Sequence, residues 1–167
     1  KHLIAANAAV SSNYTVSPGT ITIAPYAFSE VDIEQITLPD SIKTIGAYAF
    51  YFYSGLKQSE IVLPKQLMFI GDSAFRNSNL SKIEIPKSVT YIGCIAFYGS
   101  KNLSQVTFED GAAEIAEGAF EWCSALETFA FPEGIRTLES GVLDNCANLT
   151  TVYVPGSVVY VSTDFAD

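Results

Sequence analysis

The chain has 167 residues, a length that suits one domain, and hydrophobic residues make up 49% of it. Charged residues make up 16%, and the formal net charge is −9. An acidic surface repels phosphate backbones and anionic lipid head groups, so the composition argues against nucleic acid as a partner. Because the apolar runs are short and interrupted by Gly, Pro or charge, we expect no direct membrane insertion of this segment.

The first thirteen residues differ in pattern from the rest of the chain. The chain begins at Lys1 without the charged and apolar regions of a signal peptide, and HLIAANAAV (2–10) is largely apolar. We interpret residues 1–13 as an N-terminal cover or a partial repeat. Residues 14–167 are predicted to form a single domain of internal repeats.

Two motifs recur through that domain in constant register. The first, seen in TIGAYAF (44–50) and YIGCIAF (91–97), ends on equivalent residues spaced 22 to 25 apart: Phe28, Phe50, Phe75, Phe97, Phe120, Leu143 and Ala166. The second, seen in LSKIEIP (80–86), places a Leu three residues ahead of two alternating aliphatic residues. This L-x-x-I-x-I pattern is typical of leucine-rich repeats, whose periods run from ~20 to 29 residues.

Each period is predicted to form one coil of a solenoid. Ile83 and Ile85 alternate on a strand and point inward, and Ile92 points inward from a second, short strand. Gly93 is expected to permit a tight bend, after which Phe97 fills the coil interior through a short helical turn. Because one coil cannot bury its own apolar row, about six to seven coils of about 23 residues are expected to stack as a solenoid with parallel strands.

The segment IPKSVTYIGCIAF (85–97) resembles the BspA-like leucine-rich repeat family of bacterial surface and secreted proteins. The resemblance covers about residues 14 to 166. It implies a curved, right-handed leucine-rich-repeat solenoid, and a secreted or cell-surface protein that acts in attachment or recognition. Three copies depart from the pattern: Glu109 replaces Pro, Leu143 replaces Phe, and VSTDFA (161–166) has lost its Gly.

The register predicts rows of outward side chains on both strands, and such sheets are the usual recognition surface of solenoids. We take the larger members of these rows, Phe69, Tyr91, Glu84, Tyr153 and Tyr160, as candidate ligand-binding residues. The row on the first strand holds Thr15, Thr37, Val62, Glu84, Thr107, Ala130 and Tyr153. The row on the second strand holds Thr22, Thr44, Phe69, Tyr91, Glu114, Thr137 and Tyr160.

One coil is longer than the others and rich in aromatic residues. The segment YFYSGLKQSEIVL (51–63) exceeds its counterparts by up to three residues, and insertions of this kind map to loops on one face of a solenoid. Its rings and those of the corresponding later turns form a second candidate site, a stripe on the convex edge suited to sugars or a protein: Tyr51, Phe52, Tyr53, Tyr98 and Trp122. The alternative is that these rings pack on the neighbouring coil, which we favour for Phe52 and Trp122.

The three cysteines do not predict a metal site. Cys123 and Cys146 are 23 residues apart in the same register, so they are either bridged across adjacent coils or, as we favour, buried as thiols in a ladder. There is no C-x-x-C, and His2 is the single histidine, so we expect neither a metal nor a cofactor. For the same reason no Ser-His-Asp or Cys-His arrangement is expected, and we predict that the chain is not an enzyme.

These observations leave two functional hypotheses. The first is a recognition or adhesion module that binds a protein or glycan on a host or neighbouring cell surface through its sheet face or aromatic edge. The alternative is a structural spacer, a repeat segment of a larger surface protein with no ligand of its own.

Overall fold

The computed structural model describes residues 2–3, 13–29, 31, 33–51, 59–111 and 113–164. In this part of the chain all regular structure is β-strand, and no helix is present. The strands are β1 (His2–Leu3), β2 (Asn13–Thr15), β3 (Thr22–Ile23), β4 (Gln35–Thr37), β5 (Thr44–Ile45), β6 (Phe69–Ile70), β7 (Lys82–Ile85), β8 (Tyr91–Ile92), β9 (Gln105–Phe108), β10 (Glu114–Ile115), β11 (Thr128–Ala130), β12 (Thr137–Leu138), β13 (Thr151–Tyr153) and β14 (Tyr160–Val161).

The strands stack in parallel and build a β-solenoid, as the repeats predict. We number its coils one to seven by their second strands, β3, β5, β6, β8, β10, β12 and β14. Strands β1, β3, β5, β6, β8 and β10 form one parallel sheet in that order, and β12 pairs with β14. The predicted rows are confirmed by the pairing, because Thr44 lies opposite Phe69 and Phe69 opposite Tyr91. We call the outward side of these strands the second-strand face.

The first strands of the coils form three separate pairs, β2–β4, β7–β9 and β11–β13. Coil three contributes only an isolated bridge, in which Glu60 lies opposite Lys82. The first-strand row is confirmed where strands pair, since Thr15 lies opposite Thr37 and Glu84 opposite Thr107. We call the outward side of these strands the first-strand face, and its ordered ladder is interrupted between coils two and three and between coils five and six.

The core consists of ladders of identical or similar side chains. The rings of Phe28, Phe50, Phe75, Phe97 and Phe120 stack nearly parallel, with neighbouring centroids 5.0 to 5.3 Å apart. All five are at most 4% exposed. Each ring therefore covers the ring of the next coil, and this mutual burial is the main reason why the repeat demands an aromatic residue here.

The motif glycines serve the contact between coils, and the expectation that Gly93 permits the bend is wrong. Gly46, Gly71 and Gly93 do not have positive φ. A Cβ placed on Gly71 would instead lie 2.7 Å from the amide nitrogen of Ala47 in the preceding coil, far inside ordinary contact. The motif requires glycine because no side chain fits between the two backbones at this point.

The segment after each second strand is a chain of tight turns where short helical turns were expected. In coil four, Ala96 and Tyr98 donate backbone hydrogen bonds three residues back, to Gly93 and Ile95. Phe97 instead donates to Ala119 of the next coil, and Ile95 has a φ of 47°. In a helix, every amide would donate its hydrogen bond within its own coil. Here the residue with positive φ directs alternate amides to carbonyl groups of the neighbouring coil, and these hydrogen bonds join the coils.

Candidate binding surfaces of the solenoid

The first-strand face presents a polar row with one apolar exception. Its outward residues in coils two, four and five are Thr37, Glu84 and Thr107. Val62 holds the same position in coil three, and its side chain is 85% exposed, the highest value among the large apolar residues that the structure describes. Its chain neighbours Ile61 and Leu63 are both 5% exposed, so buried residues on either side fix the backbone that displays Val62.

Two recesses lie on this face and meet at coil three. The larger, of about 1100 Å³, is lined by residues of β4 and by Glu60 and Val62, and it lies where the first-strand pairing is interrupted. The smaller, of about 480 Å³, lies on the other side of Val62 and is lined by Lys82, Glu84 and Thr107 among others. A third recess of about 270 Å³ lies between coils five and six.

Carboxylates outnumber amines around the two larger recesses. Among the residues that the structure describes, they are lined by four glutamates and two lysines: Glu34, Glu60, Glu84, Glu109, Lys65 and Lys82. The Lys82 amine lies 2.8 Å from the Glu60 carboxylate, and Glu109 accepts a hydrogen bond from the Lys87 backbone amide. The described lining residues therefore have two more carboxylates than amines, and their net charge is negative, as is that of the whole chain.

The second-strand face brings together two of the predicted residues. Phe69 is 43% exposed and Tyr91, its partner on the next strand, is half-buried. Burial raises the pKa of the Tyr91 hydroxyl, and nearby Cys94, Asp72 and Glu114 raise it further. Tyr91 is therefore a neutral hydrogen-bond donor at physiological pH, next to an exposed aromatic ring.

The other sheet candidates lie apart from this pair. Glu84 is exposed on the first-strand face and lines the smaller recess. Tyr153 and Tyr160 are 62% and 56% exposed on coil seven, where Val161 in an inward position is also exposed. The structure therefore divides the predicted sheet residues among three places, and joins only Phe69 with Tyr91.

The predicted aromatic stripe is organised around an arginine. The Arg76 guanidinium lies 4.6 Å from the centroid of the Tyr98 ring and 5.9 Å from that of Tyr51, one coil away on each side. Tyr51 and Tyr98 are half-buried. Their rings thus hold a cation within the protein, which agrees with the packing alternative and leaves less ring surface for a ligand.

Trp122 has the exposure expected of a ligand-binding ring but a strained backbone. It is 43% exposed, with a φ of 60°. Burial first and then Asp144 raise the pKa of the neighbouring Glu121 carboxyl, and Trp122 opposes that rise. Phe52 and Tyr53 lie outside the described residues, so the stripe as predicted stays a prediction.

Two features of the surface were absent from the sequence predictions. Tyr26 and Tyr48 stack with their rings 4.8 Å apart and 2° from parallel, and Tyr26 is 58% exposed. Both occupy the left-handed position of the turn, which the motif does not reveal because tyrosine is unusual there. The second feature is the exposed Val62, which the sequence analysis placed in the first-strand row but did not select as a candidate. Comparing the residues of that row coil by coil is the signal that identifies it.

Cys123 and Cys146 are buried free thiols in a ladder, as we favoured. Their Sγ atoms donate to the carbonyls of Phe97 and Phe120, each in the preceding coil, at 3.3 Å. Ser100 occupies the same register position and its hydroxyl donates in the same way to Phe75. Burial raises the pKa of both thiols, that of Cys146 to about 11, so both are protonated at neutral pH.

The described part of the chain lacks both a metal-binding cluster and a long apolar helix. No group of three or more His, Cys, Asp or Glu side chains there is arranged to hold a metal ion. The same residues contain no helix of the length and apolarity that a bilayer crossing requires.

Comparison with known proteins identifies the repeat. The family model described as a BspA-type leucine-rich repeat region matches in six copies, over residues 7–78 and 51–165. No curated protein sequence gives a significant match.

Three solved structures share the fold. A leucine-rich repeat protein of T. pallidum is 28% identical, with a TM-score of 0.80 over 90% of this chain and 73% of its own. One from Bacteroides ovatus is 26% identical, with a TM-score of 0.74 over 93% of this chain. The pneumococcal vaccine antigen PcpA is 30% identical, with a TM-score of 0.71 over 91% of this chain. The chain spans 39% and 40% of the last two proteins. Because the family model covers nearly all of the sequence, the chain belongs to the BspA-type leucine-rich repeat family.

Proposed function

We propose that the chain is a recognition module that acts outside a bacterial cell, in secreted form or on the cell surface, and binds a protein or a glycan. The observation that carries the proposal is the pair Phe69 and Tyr91. An exposed ring and a protonated tyrosine hydroxyl lie side by side on a six-stranded sheet, supported from below by the buried Ile70 and Ile92.

Membership of the BspA-type family supports the proposed location, as does the description of one relative as a vaccine antigen. The core ladders give the sheet a rigid frame, which lowers the entropic cost of presenting a binding surface. The proposal assigns the chain no reaction, because its described surface offers shallow recesses and outward rows instead of a converging set of acid, base and nucleophile.

The test is a binding screen of the purified chain against immobilised extracellular-matrix proteins, plasma proteins and a glycan panel. We expect at least one saturable interaction that weakens about tenfold or more in the Phe69→Ala/Tyr91→Ala double variant, since hot-spot aromatic residues commonly contribute this much. Thr137→Ala, in the same row two coils beyond Tyr91, is the matched control and should bind as the unmodified chain does.

Either of two results contradicts the proposal. If no member of the panel binds a chain shown to be folded, the spacer alternative is favoured. If a ligand binds equally to the double variant and to the control, recognition does not depend on the second-strand face.

A further inference from the structure

Because the coils repeat, each outward residue can be compared with the residues at the same position in the other coils. Coil three differs from its neighbours at two such positions. Val62 stands where the flanking coils have Thr37 and Glu84, and Met68 stands where they have Lys43 and Thr90. Val62 is 85% exposed and Met68 is 38% exposed. Coil three thus shows aliphatic side chains to solvent at positions that its neighbours fill with polar residues.

Packing within the fold does not explain why residue 62 is a valine. It projects away from the core, and the buried Ile61 and Leu63 beside it provide the packing of this segment. Covering a side chain of this size removes apolar surface from water and contributes favourable free energy. That free energy is available to whatever covers Val62, and threonine at the same position in coils two and five shows that the strand does not need it.

The two larger recesses place Val62 at the centre of a longer surface. Together they extend from β4 to Thr107, across coils two to five, with Glu60 and Val62 lining both. The half-buried Leu38 contributes apolar surface to the larger recess. An apolar centre within a polar rim is the usual anatomy of a protein–protein hot spot.

The chemistry of the lining distinguishes between partner classes. No aromatic residue is among the described side chains that line these two recesses, so those side chains offer no ring plane for a sugar to stack on. Four glutamates against two lysines leave the rim acidic, and one of those lysines is already paired with Glu60. The complementary ligand carries an aliphatic group together with positive charge.

We propose that the first-strand face around Val62 binds an extended segment of a partner protein in which an aliphatic side chain is flanked by Lys or Arg. This inference rests on the proposed function and specifies the partner class at a face other than that of Phe69 and Tyr91. The aliphatic side chain contacts Val62, and the flanking cations lie against Glu84 and Glu109.

The test is selection of a random dodecapeptide library on the immobilised chain, with counter-selection on the Val62→Thr variant. Threonine is the residue at this position in coils two and five and is also β-branched, so this change preserves the strand. We expect selected peptides that combine Leu, Ile or Val with Lys or Arg. Their affinity should fall about tenfold or more in Val62→Thr and also in Glu84→Lys, which reverses one rim charge.

The matched control is Val159→Thr, which makes the same change at a 69% exposed valine in coil seven and should leave the affinity unchanged. Amide chemical shifts should move around Val62, Glu84 and Thr107 when a selected peptide is added. Failure to select any peptide, selection of acidic or aromatic sequences, or equal loss in Val62→Thr and Val159→Thr would each overturn the inference. A ligand from the protein and glycan panel that depends on Phe69 and Tyr91 would still support the proposed function, so the two failures are distinguishable.

Discussion

Replacing Gly71 with alanine tests the account of why the repeat motif contains glycine. The added Cβ would lie 2.7 Å from the Ala47 amide nitrogen and 2.9 Å from the Gly46 carbonyl carbon. Ordinary contact is about 3.5 Å or more, so the two backbones have to separate by about 0.8 Å. Both obstacles are backbone atoms, which no rotamer change can move, and coil separation also strains the stacked rings of Phe50 and Phe75.

Overpacking of this kind costs ~1–3 kcal/mol, which in a chain of this size lowers Tm by roughly 2–12 °C. The assay is thermal unfolding followed by circular dichroism, with Gly156→Ala as the control. A Cβ on Gly156 meets nothing within 4 Å, and its φ is not positive. That change should therefore stabilise the chain by ~0.4–1 kcal/mol through the unfolded state. Equal Tm values for the two variants would refute the close-approach explanation.

The remaining predictions concern the core ladders. Phe97→Ala removes a fully buried ring that is stacked on both sides, and urea unfolding should show a loss of ~3–5 kcal/mol; Phe97→Leu, which copies Leu143 of coil six, should lose only roughly 1–2 kcal/mol. Comparable losses would argue against ring stacking as the basis of the motif. Thiol labelling of the native chain at neutral pH should modify exposed Cys94 and spare Cys123 and Cys146, and a second fast-reacting thiol would contradict their burial. The raised pKa of these two thiols also means that the folded state disfavours their ionisation. The free energy of unfolding should therefore fall as pH rises from the ordinary thiol range towards about 11, and the fall should be smaller in Cys123→Ser/Cys146→Ser.

The strand register was predictable from the sequence because side-chain direction alternates along a strand with a fixed period. Once Ile83 and Ile85 are assigned to the core, the positions of Lys82 and Glu84 on the outside follow, and the spacing of about 23 residues carries the assignment to each coil. The buried phenylalanine ladder follows from the same constant spacing.

The features that were not predicted depend on distances between coils, which a repeat motif does not specify. The role of Gly71 arises from the approach of the preceding backbone, and the capture of Arg76 by two tyrosines requires the side chains of three successive coils. The row in the sequence shows that Val62 is apolar, but only the structure shows that its side chain is exposed and has no packing role.

The central claim is that the inward ladders determine the stability of the solenoid while its outward rows determine recognition. The most direct test is a paired determination of Tm and of Kd, for the strongest peptide selected on the chain, in Val62→Thr and Phe97→Leu. We predict that Val62→Thr lowers affinity about tenfold with little change in Tm, whereas Phe97→Leu lowers Tm by roughly 2–8 °C with little change in affinity. If affinity and Tm fall together in both variants, the separation between core and recognition surface is contradicted.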